Sequence, residues 1–371
     1  MNILLVTEFF PDPEKPIFTG GVENRAYYTG NYLSLNNKVT IISRRLEGQK
    51  PKESKGNLEI IRLGTPQKNA EASISSLLSR LIFQINAVRV GIKQKADLVE
   101  GSNFITYLPA FLIGKILKIP KIAWYPDVFI GRWVKLFGPI LGLMGEISEK
   151  VTLSLSWDGI IAISSSTKKK IISSNAKGKI EVIYCGIEKK EYKDLEKFEK
   201  PTLIVISRLI KYKNIDMVLK AANNFNLIIV GTGPEEERLR QIALDLKISN
   251  RVSFKKNLTR PELLTLLAKS HLLCHPSSEE GFGIVILESL ASNTPFIASK
   301  IPAIVEITEN GKGGALFNPL DQEAFEKNIK ELLNNPNLYR LKQKEGKILI
   351  EKYFWENLSK ETEKFFNSIK I

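Results

Sequence analysis

Short runs of aliphatic and β-branched residues alternate with longer segments of helical periodicity along most of the chain. The first series of such runs covers residues 3–6, 39–42, 98–99, 122–124 and 159–163. In one intervening segment, 73–93, apolar residues recur every three or four positions, as in an amphipathic helix. Because short continuous apolar runs are typical of strands buried on both faces, this alternation predicts βαβ units, parallel sheets and right-handed crossovers.

A charged, weakly apolar stretch at 186–200 interrupts the alternation and ends before Pro201. Such a stretch is typical of a linker between domains. A second series of elements follows, with predicted strands at 202–206, 227–230, 252–254, 272–275 and 296–298 and predicted helices at 214–224, 234–247, 261–268 and 283–292.

The two series predict an α/β protein with two Rossmann-like domains, for which a length of 371 residues is sufficient. The first domain is expected at 1–190 and the second at 201–353, with residues 191–200 joining them. An amphipathic helix near the C-terminus has no sheet left to follow. We expect this helix to pack across the domain boundary and, at 354–371, to complete the first domain.

Charge and cysteine content narrow the classes of function. Lys and Arg number 54 against 40 Asp and Glu, a formal charge of +14 that is concentrated in residues 1–194 and predicts an anionic partner. Two cysteines, Cys185 and Cys274, exclude a disulfide framework and indicate a reducing cytosol. The first apolar run stops at Glu8, and no run reaches about 18 apolar residues, so neither a signal peptide nor a transmembrane helix is expected.

Residues 277–288 carry the strongest chemical signal in the sequence. A predicted strand leads into a turn with Gly281 and Gly283 and then into a helix. The N–H groups at a helix start favour an anion, and glycines permit close approach of a ligand. Glu288 lies among apolar neighbours and needs a partner, for which a ribose diol is suitable. Alternatively, Glu280 caps the helix and Glu288 is a structural acid with its own partner.

The sequence offers no good site for a cofactor or a metal. Gly231 and Gly233 follow a predicted strand, but Glu236 replaces the third glycine of a dinucleotide-binding turn, and the acidic residues there would repel a pyrophosphate. No Asp-x-Asp pair occurs that could hold a magnesium diphosphate. His271 and His275 lack an acidic third ligand, which favours core or rim histidines over a zinc site. We expect no cofactor and no metal requirement.

Several glycine-containing, basic and acidic motifs occur in a fixed order along the chain. Glu280 and Glu288 have seven residues between them and bracket a Gly-Phe-Gly turn. Further motifs lie at 20–23, 207–209, 213–214, 302–311 and 354–356. Together, over nearly the whole chain, they resemble glycosyltransferase family 4, whose signature is E-x7-E. The resemblance implies the GT-B fold, in which two Rossmann-like domains with parallel sheets face each other across a cleft.

The resemblance also implies roles for the matching residues. Glu280 would contact hydroxyl groups of a donor sugar, and Glu288 would contact the ribose. Arg208 and Lys213 would bind the diphosphate and stabilise the charge that grows on it as the sugar–phosphate bond breaks. Without the resemblance, these two are among 54 basic residues, most of which are solvated. The other expected donor contacts are Gly20, Gly21, Phe282, Gly283, Ile284 and Val285 and, for the base, main-chain groups of Asn257 and Leu258.

The first predicted domain departs from the family pattern. Many relatives carry a histidine after the strand at 98–99 or near the turn at 125–127, and this chain has none at either place. Asp127 is therefore the candidate catalytic residue of this domain. Retention of configuration does not require the histidine, since in a front-face displacement the leaving phosphate oxygen can accept the acceptor's proton. The turn usual between the domains, Asn-Gly-Val-Asp, is replaced by Cys-Gly-Ile-Glu at 185–188.

Basic and aromatic residues interleave at 129–137, and the predicted helix at 73–93 carries cations beside its apolar stripe. These cations and those just after the helix are Arg80, Arg89, Lys93 and Lys95. The pattern suits contact with an anionic bilayer and a lipid-linked acceptor. A buried helix with a solvated basic edge explains it equally well. No nucleic-acid-binding motif accompanies these residues, so nucleic acid is not an expected partner.

We therefore predict a cytoplasmic, metal-independent, retaining hexosyltransferase that uses a UDP- or GDP-linked sugar. Contact of the first domain with anionic lipid would place it at the inner face of the cell membrane. Two other functions stay open. One is a sugar-nucleotide epimerase or a phosphorylase with the same fold, and the other is a non-catalytic protein that binds a nucleotide sugar and serves as an assembly partner.

Overall fold

The computed structural model describes residues 1–14, 16, 18, 20–67, 74–189 and 195–369, and at 74–77 and 136–137 it describes the backbone alone. Part of the predicted linker at 191–200, and residue 73 of the helix predicted at 73–93, lie outside the described residues. The chain forms two compact units. One consists of Met1–Cys185 and Trp355–Ile371, and the other of Gly186–Phe354.

The described residues of the first unit form an eight-stranded sheet. Its strands are β1 Asn2–Phe9, β2 Lys38–Leu46, β3 Lys52–Lys55, β4 Leu58–Gln67, β5 Leu98–Gly101, β6 Lys121–Tyr125, β7 Ser156–Ala162 and β8 Lys177–Val182. The order across the sheet is β3-β4-β2-β1-β5-β6-β7-β8, and only the β3–β4 pair is antiparallel. The chain thus extends the sheet to one side of β1 and then returns to the other side at β5, as in doubly wound folds.

Helices connect these strands, as the helical periodicity predicts. They are α1 Gly21–Leu33, α2 Ile74–Gly91, α3 Phe104–Leu117, α4 Trp133–Phe137, α5 Pro139–Ser154 and α6 Ser165–Ser173. Among the described residues, no helix is both long and apolar enough to cross a lipid bilayer.

The second unit has a six-stranded sheet in the order β11-β10-β9-β12-β13-β14, with every neighbouring pair parallel. The strands are β9 Thr202–Ile206, β10 Asn226–Val230, β11 Val252–Lys255, β12 Leu272–His275, β13 Phe296–Ser299 and β14 Gly314–Phe317. The helices are α7 Ile215–Ala221, α8 Glu236–Asp245, α9 Arg260–Lys269, α10 Ile284–Ala291, α11 Pro302–Ile307, α12 Gln322–Asn334 and α13 Pro336–Leu349.

The last helix, α14 (Trp355–Ser368), belongs to the first unit and packs on α1. The Trp355 ring stacks on Tyr28, with 5.6 Å between the ring centroids. Farther along, Glu363 Oε1 accepts a hydrogen bond of 2.7 Å from Asn37 Nδ2. Phe354, which the sequence analysis counted in this helix, precedes it and pairs with Ile187 in the second unit.

The central strands of both sheets are buried on both faces, which explains their continuous apolar sequences. β12 and β13 are buried at every position, and β1 is buried at most of its positions. Four strands were not identified in the sequence: β14 at the edge of the second sheet, and β3, β4 and β8, which lie at or next to the edges of the first sheet. The side chains of the three strands of the first sheet are exposed on at least one face, so these strands lack a continuous apolar run.

Candidate functional site

The carboxyl ends of β9 and β12 lie side by side in the second sheet. β9 is followed in the chain by β10 and β11 on one side, whereas β12, β13 and β14 extend the sheet on the other side. The winding direction therefore reverses between β9 and β12, and ligands of open α/β sheets bind outside the strand ends at such a point. The loops at 207–214 and 276–283, which follow these two strands, carry five of the expected donor-binding residues: Arg208, Lys213, Glu280, Phe282 and Gly283.

Lys213 and Glu280 join these two loops. Lys213 ends a short 3-10 helix, Lys211–Lys213, and its Nζ donates a hydrogen bond to Glu280 Oε2. The two side chains are only 10% and 20% exposed. Because a charge that is largely removed from water needs a partner, each side chain stabilises the charged form of the other. Lys213 was expected to bind the diphosphate and Glu280 the donor sugar. In the structure these two side chains are in contact.

His275 is a further neighbour of Glu280, although the sequence analysis interpreted it only as a core or rim residue. It ends β12, is buried, and has its Nε2 atom 3.6 Å from Glu280 Oε2. Burial raises the pKa of Glu280, but His275 and Lys213 outweigh this effect and lower the pKa to about 2. Glu280 is therefore an ionised acceptor at neutral pH. The available sequence signal was a histidine at a strand end just before the glycine-containing turn.

Hydrogen bonds between the two loops fix their relative position. The Asn214 side-chain amide donates to Pro276 O across 2.9 Å and to Ser278 Oγ across 2.6 Å. In return, the backbone N–H of Ser278 donates to Tyr212 O across 2.9 Å. These contacts hold the Lys213–Glu280 pair on a rigid frame.

Arg208 lies on the same loop as Lys213 and is exposed. Its guanidinium Nη2 donates a hydrogen bond of 3.3 Å to Tyr212 Oη, and across the described part of the chain no carboxylate forms an ion pair with it. A guanidinium without a carboxylate partner has donors available for a phosphate, which it binds in a bidentate manner. The loop after β9 therefore presents a cation with spare donors beside a paired one.

The turn before α10 depends on Gly283. This residue has a φ of +92°, and a Cβ atom there would lie 2.5 Å from Ile304 Cδ1. Phe282 is buried, and its ring lies edge-on to Tyr353 with 6.4 Å between centroids. Glycine and phenylalanine together position the first turn of α10, which includes Ile284 and Val285. The first N–H groups of an α-helix have no partner within the helix and favour an anion.

Glu288, which the sequence analysis assigned to ribose, has a partner within the protein. Its Oε1 atom lies 2.5 Å from Arg260 Nη1, and the two side chains are 6% and 15% exposed. This matches the alternative in which Glu288 is a structural acid with its own partner. Arg260 was missed in the sequence, although Thr259 and Glu262 around it form a capping box that marks the start of α9.

Asn257 and Leu258 lie in the loop between β11 and α9. Asn257 is exposed and has a φ of +54°, a left-handed conformation that asparagine tolerates. Because Arg260 begins the next helix and pairs with Glu288, this loop is connected to α10. The expected base-binding segment and the expected ribose ligand are thus linked by one ion pair.

The Gly-x-Gly sequence at 231–233 packs against the loop after β9. A Cβ atom on Gly231 would lie 1.9 Å from Ser207 O. Next to it, the Leu209 N–H donates a hydrogen bond of 2.9 Å to Thr232 O. The missing side chain thus allows two backbones to approach closely, which supports the interpretation of a tight turn. Close packing accounts for Gly231, and no bound dinucleotide is needed to explain it.

In the first unit, Gly20 and Gly21 line a cavity of about 220 Å³ at the start of α1. The cavity lies beside the ends of β1 and β5, which supply Glu8 and the loop residue Asn103. This is the point where the winding of the first sheet reverses. The two glycines belong to the first unit, and the residues around β9 and β12 belong to the second.

Asp127 follows β6 and is held by two cations. Its carboxylate accepts hydrogen bonds of 2.8 Å from Arg132 Nη2 and 2.6 Å from Lys170 Nζ. A third bond comes from the backbone N–H of Val128 at 2.8 Å. These three bonds use most of the acceptor sites of the carboxylate, so the geometry favours an orienting role for it.

Glu100, in β5, is fully buried. Both of its carboxylate oxygens accept hydrogen bonds from Arg25 of α1, one of them 2.9 Å long. The Arg25 guanidinium also lies 4.8 Å from the centroid of the Trp124 ring. The sequence analysis did not predict this ion pair, which anchors α1 to the end of β5.

Two aromatic residues of the 129–137 segment, Phe129 and Trp133, pack together instead of forming an exposed strip. The Trp133 ring meets Phe104 at 4.9 Å and Phe129 at 5.6 Å between centroids, in edge-to-face geometry. The indole N–H of Trp133 donates a hydrogen bond of 2.6 Å to Glu149. The interleaving of aromatic and basic residues thus reflects a local cluster in which Arg132 lies over Phe129.

The described ranges contain no group of three or more His, Cys, Asp or Glu residues placed to hold a metal ion. His271 makes a different contact: its Nδ1 accepts a hydrogen bond of 3.1 Å from the Thr202 N–H, and burial lowers its pKa. It therefore connects the start of β12 to β9.

Two family models match consecutive parts of the chain. The model described as Glycosyltransferase Family 4 matches residues 19–191, and the model described as Glycosyl transferases group 1 matches residues 187–348. Two parallel α/β units and these matches define a glycosyltransferase of the GT-B fold. Within that class, the chain belongs to glycosyltransferase family 4.

Among curated relatives, the chain is similar to the O-antigen chain mannosyltransferase RfbU of Salmonella typhimurium. The two are 33% identical over 221 residues, which is 58% of this chain and 59% of that protein. The chain therefore matches less than two thirds of the length of this relative.

Solved structures share the fold over the whole chain at low sequence identity. The sucrose-phosphate synthase of Thermosynechococcus elongatus superposes with a TM-score of 0.85 at 18% identity, covering 100% of this chain and 99% of that one. HepE of Anabaena in complex with UDP-glucose has a TM-score of 0.76 at 16% identity, with coverage of 99% and 100%. These likenesses establish the architecture alone.

Proposed function

We propose that the chain transfers a hexose from a nucleotide diphosphate sugar to an acceptor hydroxyl, with retention of configuration and without a metal ion. The observation that carries this proposal is the Lys213–Glu280 pair at the winding reversal of the second sheet, with Arg208 beside it. The pair combines an ionised acceptor for sugar hydroxyls with a cation for phosphate. Family membership and the UDP-glucose complex of HepE support a nucleotide sugar as the donor.

On the donor side, Arg208 and Lys213 would counter the negative charge that develops on the leaving diphosphate. Fixed cations held on a rigid loop stabilise such charge without reorganising during the reaction. The first turn of α10, after Gly283, would add backbone N–H groups to the same oxygen atoms. Glu280, whose pKa is lowered to about 2, would accept hydrogen bonds from the sugar.

The transfer itself needs one bond broken and one formed at the anomeric carbon. The bond from this carbon to the diphosphate oxygen breaks, and a bond to the acceptor oxygen forms on the same face. The acceptor's proton then passes to the leaving diphosphate oxygen. This route needs no histidine in the first unit, and Asp127, with its two cation partners, is assigned to orienting the segment around it.

For the acceptor we propose a lipid-linked glycan precursor at the cytoplasmic face of a membrane. The support comes from the basic first unit and from the similarity to RfbU, an O-antigen chain mannosyltransferase. The donor base is proposed to be uracil or guanine, bound near Asn257 and Leu258.

The direct test is calorimetric titration of the full chain with UDP and GDP, followed by assays with the corresponding labelled sugars. Arg208→Ala and Lys213→Ala should each weaken binding of the preferred diphosphate by roughly tenfold or more, as expected for loss of a charge-assisted hydrogen bond. Lys211→Ala is the matched control, because Lys211 is an exposed lysine in the same 3-10 helix as Lys213. Equal affinities in all variants would refute the proposed diphosphate site.

Product analysis separates transfer from the other functions open to this fold. A transferase forms a glycoside only when acceptor is added, and full activity in EDTA would support independence from metal. Conversion of the donor into another sugar nucleotide would instead indicate an epimerase. Tight diphosphate binding without turnover of any donor would indicate a non-catalytic binding protein.

A further inference from the structure

Three neighbouring helices of the first unit present an unusually large exposed apolar surface. α2 packs against α3, and α3 packs against α5. Each helix carries large apolar side chains that are about half exposed or more, including Leu81, Ile85, Ile116, Ile140, Met144 and Ile147. Contiguous apolar patches of this kind on soluble proteins mark interaction sites.

The spacing of these residues shows that they form stripes on the outer side of each helix. In α5 the exposed set recurs at 140, 143, 144, 147 and 151, whereas Glu149, Thr152 and Leu153 face inward and are buried. In α3 the exposed residues at 108, 112 and 116 alternate with a buried face that includes Tyr107 and Ile113. The outer side of each helix is therefore apolar, although it does not cover the unit's own core.

Cations predominate among the charges around this surface. Neither α2 (Ile74–Gly91) nor α3 (Phe104–Leu117) contains an Asp or Glu residue. In α5, Glu149 is buried, and Glu146 accepts hydrogen bonds from the Gly131 N–H and pairs with Lys150. Exposed cations lie at or just beyond the helix ends: Arg89, Lys93, Lys95, Lys115 and Lys118.

We propose that the α2–α3–α5 face inserts into the surface of an anionic lipid bilayer. Apolar side chains would enter the acyl boundary, while the long basic side chains at the helix ends reach the phosphate groups of the lipids. A second copy of the chain is a poorer occupant, because a symmetric contact would place Arg89 and its neighbours against the same cations of the partner. This assignment does not include Phe129 and Trp133, whose rings are used in internal packing.

Membrane binding through this face is independent of sugar transfer, so either assignment can fail alone. The test is co-sedimentation of the full chain with phosphatidylcholine vesicles, with and without phosphatidylglycerol, in the absence of any nucleotide sugar. We expect binding to the anionic vesicles that weakens as salt is raised. Absence of binding to the phosphatidylglycerol vesicles would overturn the proposal.

Two variants with matched controls locate the contact. The apolar variant combines Ile85→Gln, Met144→Gln and Ile147→Gln, and its control makes the same change at exposed apolar positions of the second unit, Leu244, Leu341 and Ile348. The charge variant combines Arg89→Gln, Lys93→Gln and Lys115→Gln, and its control changes the exposed lysines Lys327, Lys330 and Lys344.

Each face variant should bind anionic vesicles at least tenfold more weakly than wild type, while both controls bind as wild type does. Because all changed side chains are exposed, thermal unfolding should be little altered, and it serves as the check of folding. Vesicle binding that is lost equally in face and control variants would contradict the proposal. So would a concentration-dependent dimer that only the face variants abolish, because the face would then be covered by a second copy.

Discussion

The guanidinium of Arg260, the first residue of α9, lies 2.5 Å from the carboxylate of Glu288 inside α10. Both side chains are largely buried, so each charge depends on the other for compensation. This pair connects the loop after β11 to the helix that follows the glycine-containing turn. Arg260 therefore binds the Glu288 carboxylate, which was expected to contact the ribose.

Arg260→Ala should destabilise the protein by about 3 kcal/mol, because it leaves the buried Glu288 carboxylate without a partner. The double variant Arg260→Met with Glu288→Leu should lose much less, since it removes both charges and keeps apolar volume. Urea denaturation of the three proteins measures the difference. A double variant as unstable as the single one would show that packing of Arg260, and not its charge, is what matters.

The Lys213–Glu280 pair should make the free energy of unfolding depend on pH in the acid range. The pKa of Glu280 is lowered to about 2, whereas an unfolded glutamate titrates near ~4.3. The pair's contribution is therefore fully present above about pH 4.3 and is lost as the pH falls towards about 2. In Lys213→Ala the pKa of Glu280 should rise towards the unfolded value, so that less stability is lost over this acid range.

Unfolding free energies across this acid range measure the effect, with Lys211→Ala as the control that keeps the wild-type profile. Loss of the pair should cost roughly 1–3 kcal/mol at neutral pH. If Lys213→Ala and Lys211→Ala had the same profile, the ion pair would not contribute to stability.

Gly283→Ala should destabilise the turn before α10 by two separable effects. The first is the φ of +92°, which costs an alanine about 1 kcal/mol, and the second is the contact with Ile304 Cδ1. Adding Ile304→Val removes that methyl group and should recover part of the loss relative to Ile304→Val alone. Thermal unfolding of the four proteins in this cycle measures both effects, and a fully additive cycle would contradict the predicted contact.

The sequence predicts the central strands of the second sheet well because burial on both faces leaves a continuous apolar run, whereas the edge strand β14 was missed. β9 and β12 begin and end at the predicted residues, 202–206 and 272–275. β8 was missed because it is an edge strand in which Lys177, Lys179 and Glu181 alternate with weakly apolar residues. Such a sequence has neither a continuous apolar run nor the apolar spacing of an amphipathic helix.

The sequence identified the residues of the candidate site but not the contacts between them. Glu280 and Lys213 stand out only through the family motif, and their contact joins residues 67 positions apart. That contact follows from the adjacency of β9 and β12, which periodicity within either segment does not encode. The partners of Asp127, Glu100 and Glu288 were missed for the same reason, since each is a cation from another part of the fold.

Glu149 gives the first unit a pH dependence near neutrality. It is fully buried in α5 and accepts hydrogen bonds of 3.0 Å from the Phe129 N–H and 2.6 Å from the Trp133 indole. Burial raises the pKa of Glu149 to about 7, although these two donors act in the opposite direction. Between the unfolded value near ~4.3 and this pKa, the folded state binds more protons than the unfolded state.

The free energy of unfolding should therefore fall as the pH rises from about 5 to about 8, by roughly 3 kcal/mol from this group. Glu149→Gln keeps an acceptor oxygen for both donors but carries no charge, so its profile should be flat over that range. Glu146→Gln, one turn earlier on the same helix, is the control and should keep the wild-type slope. Denaturant unfolding at a series of pH values measures this, and parallel profiles for wild type and Glu149→Gln would show that the carboxylate is ionised throughout.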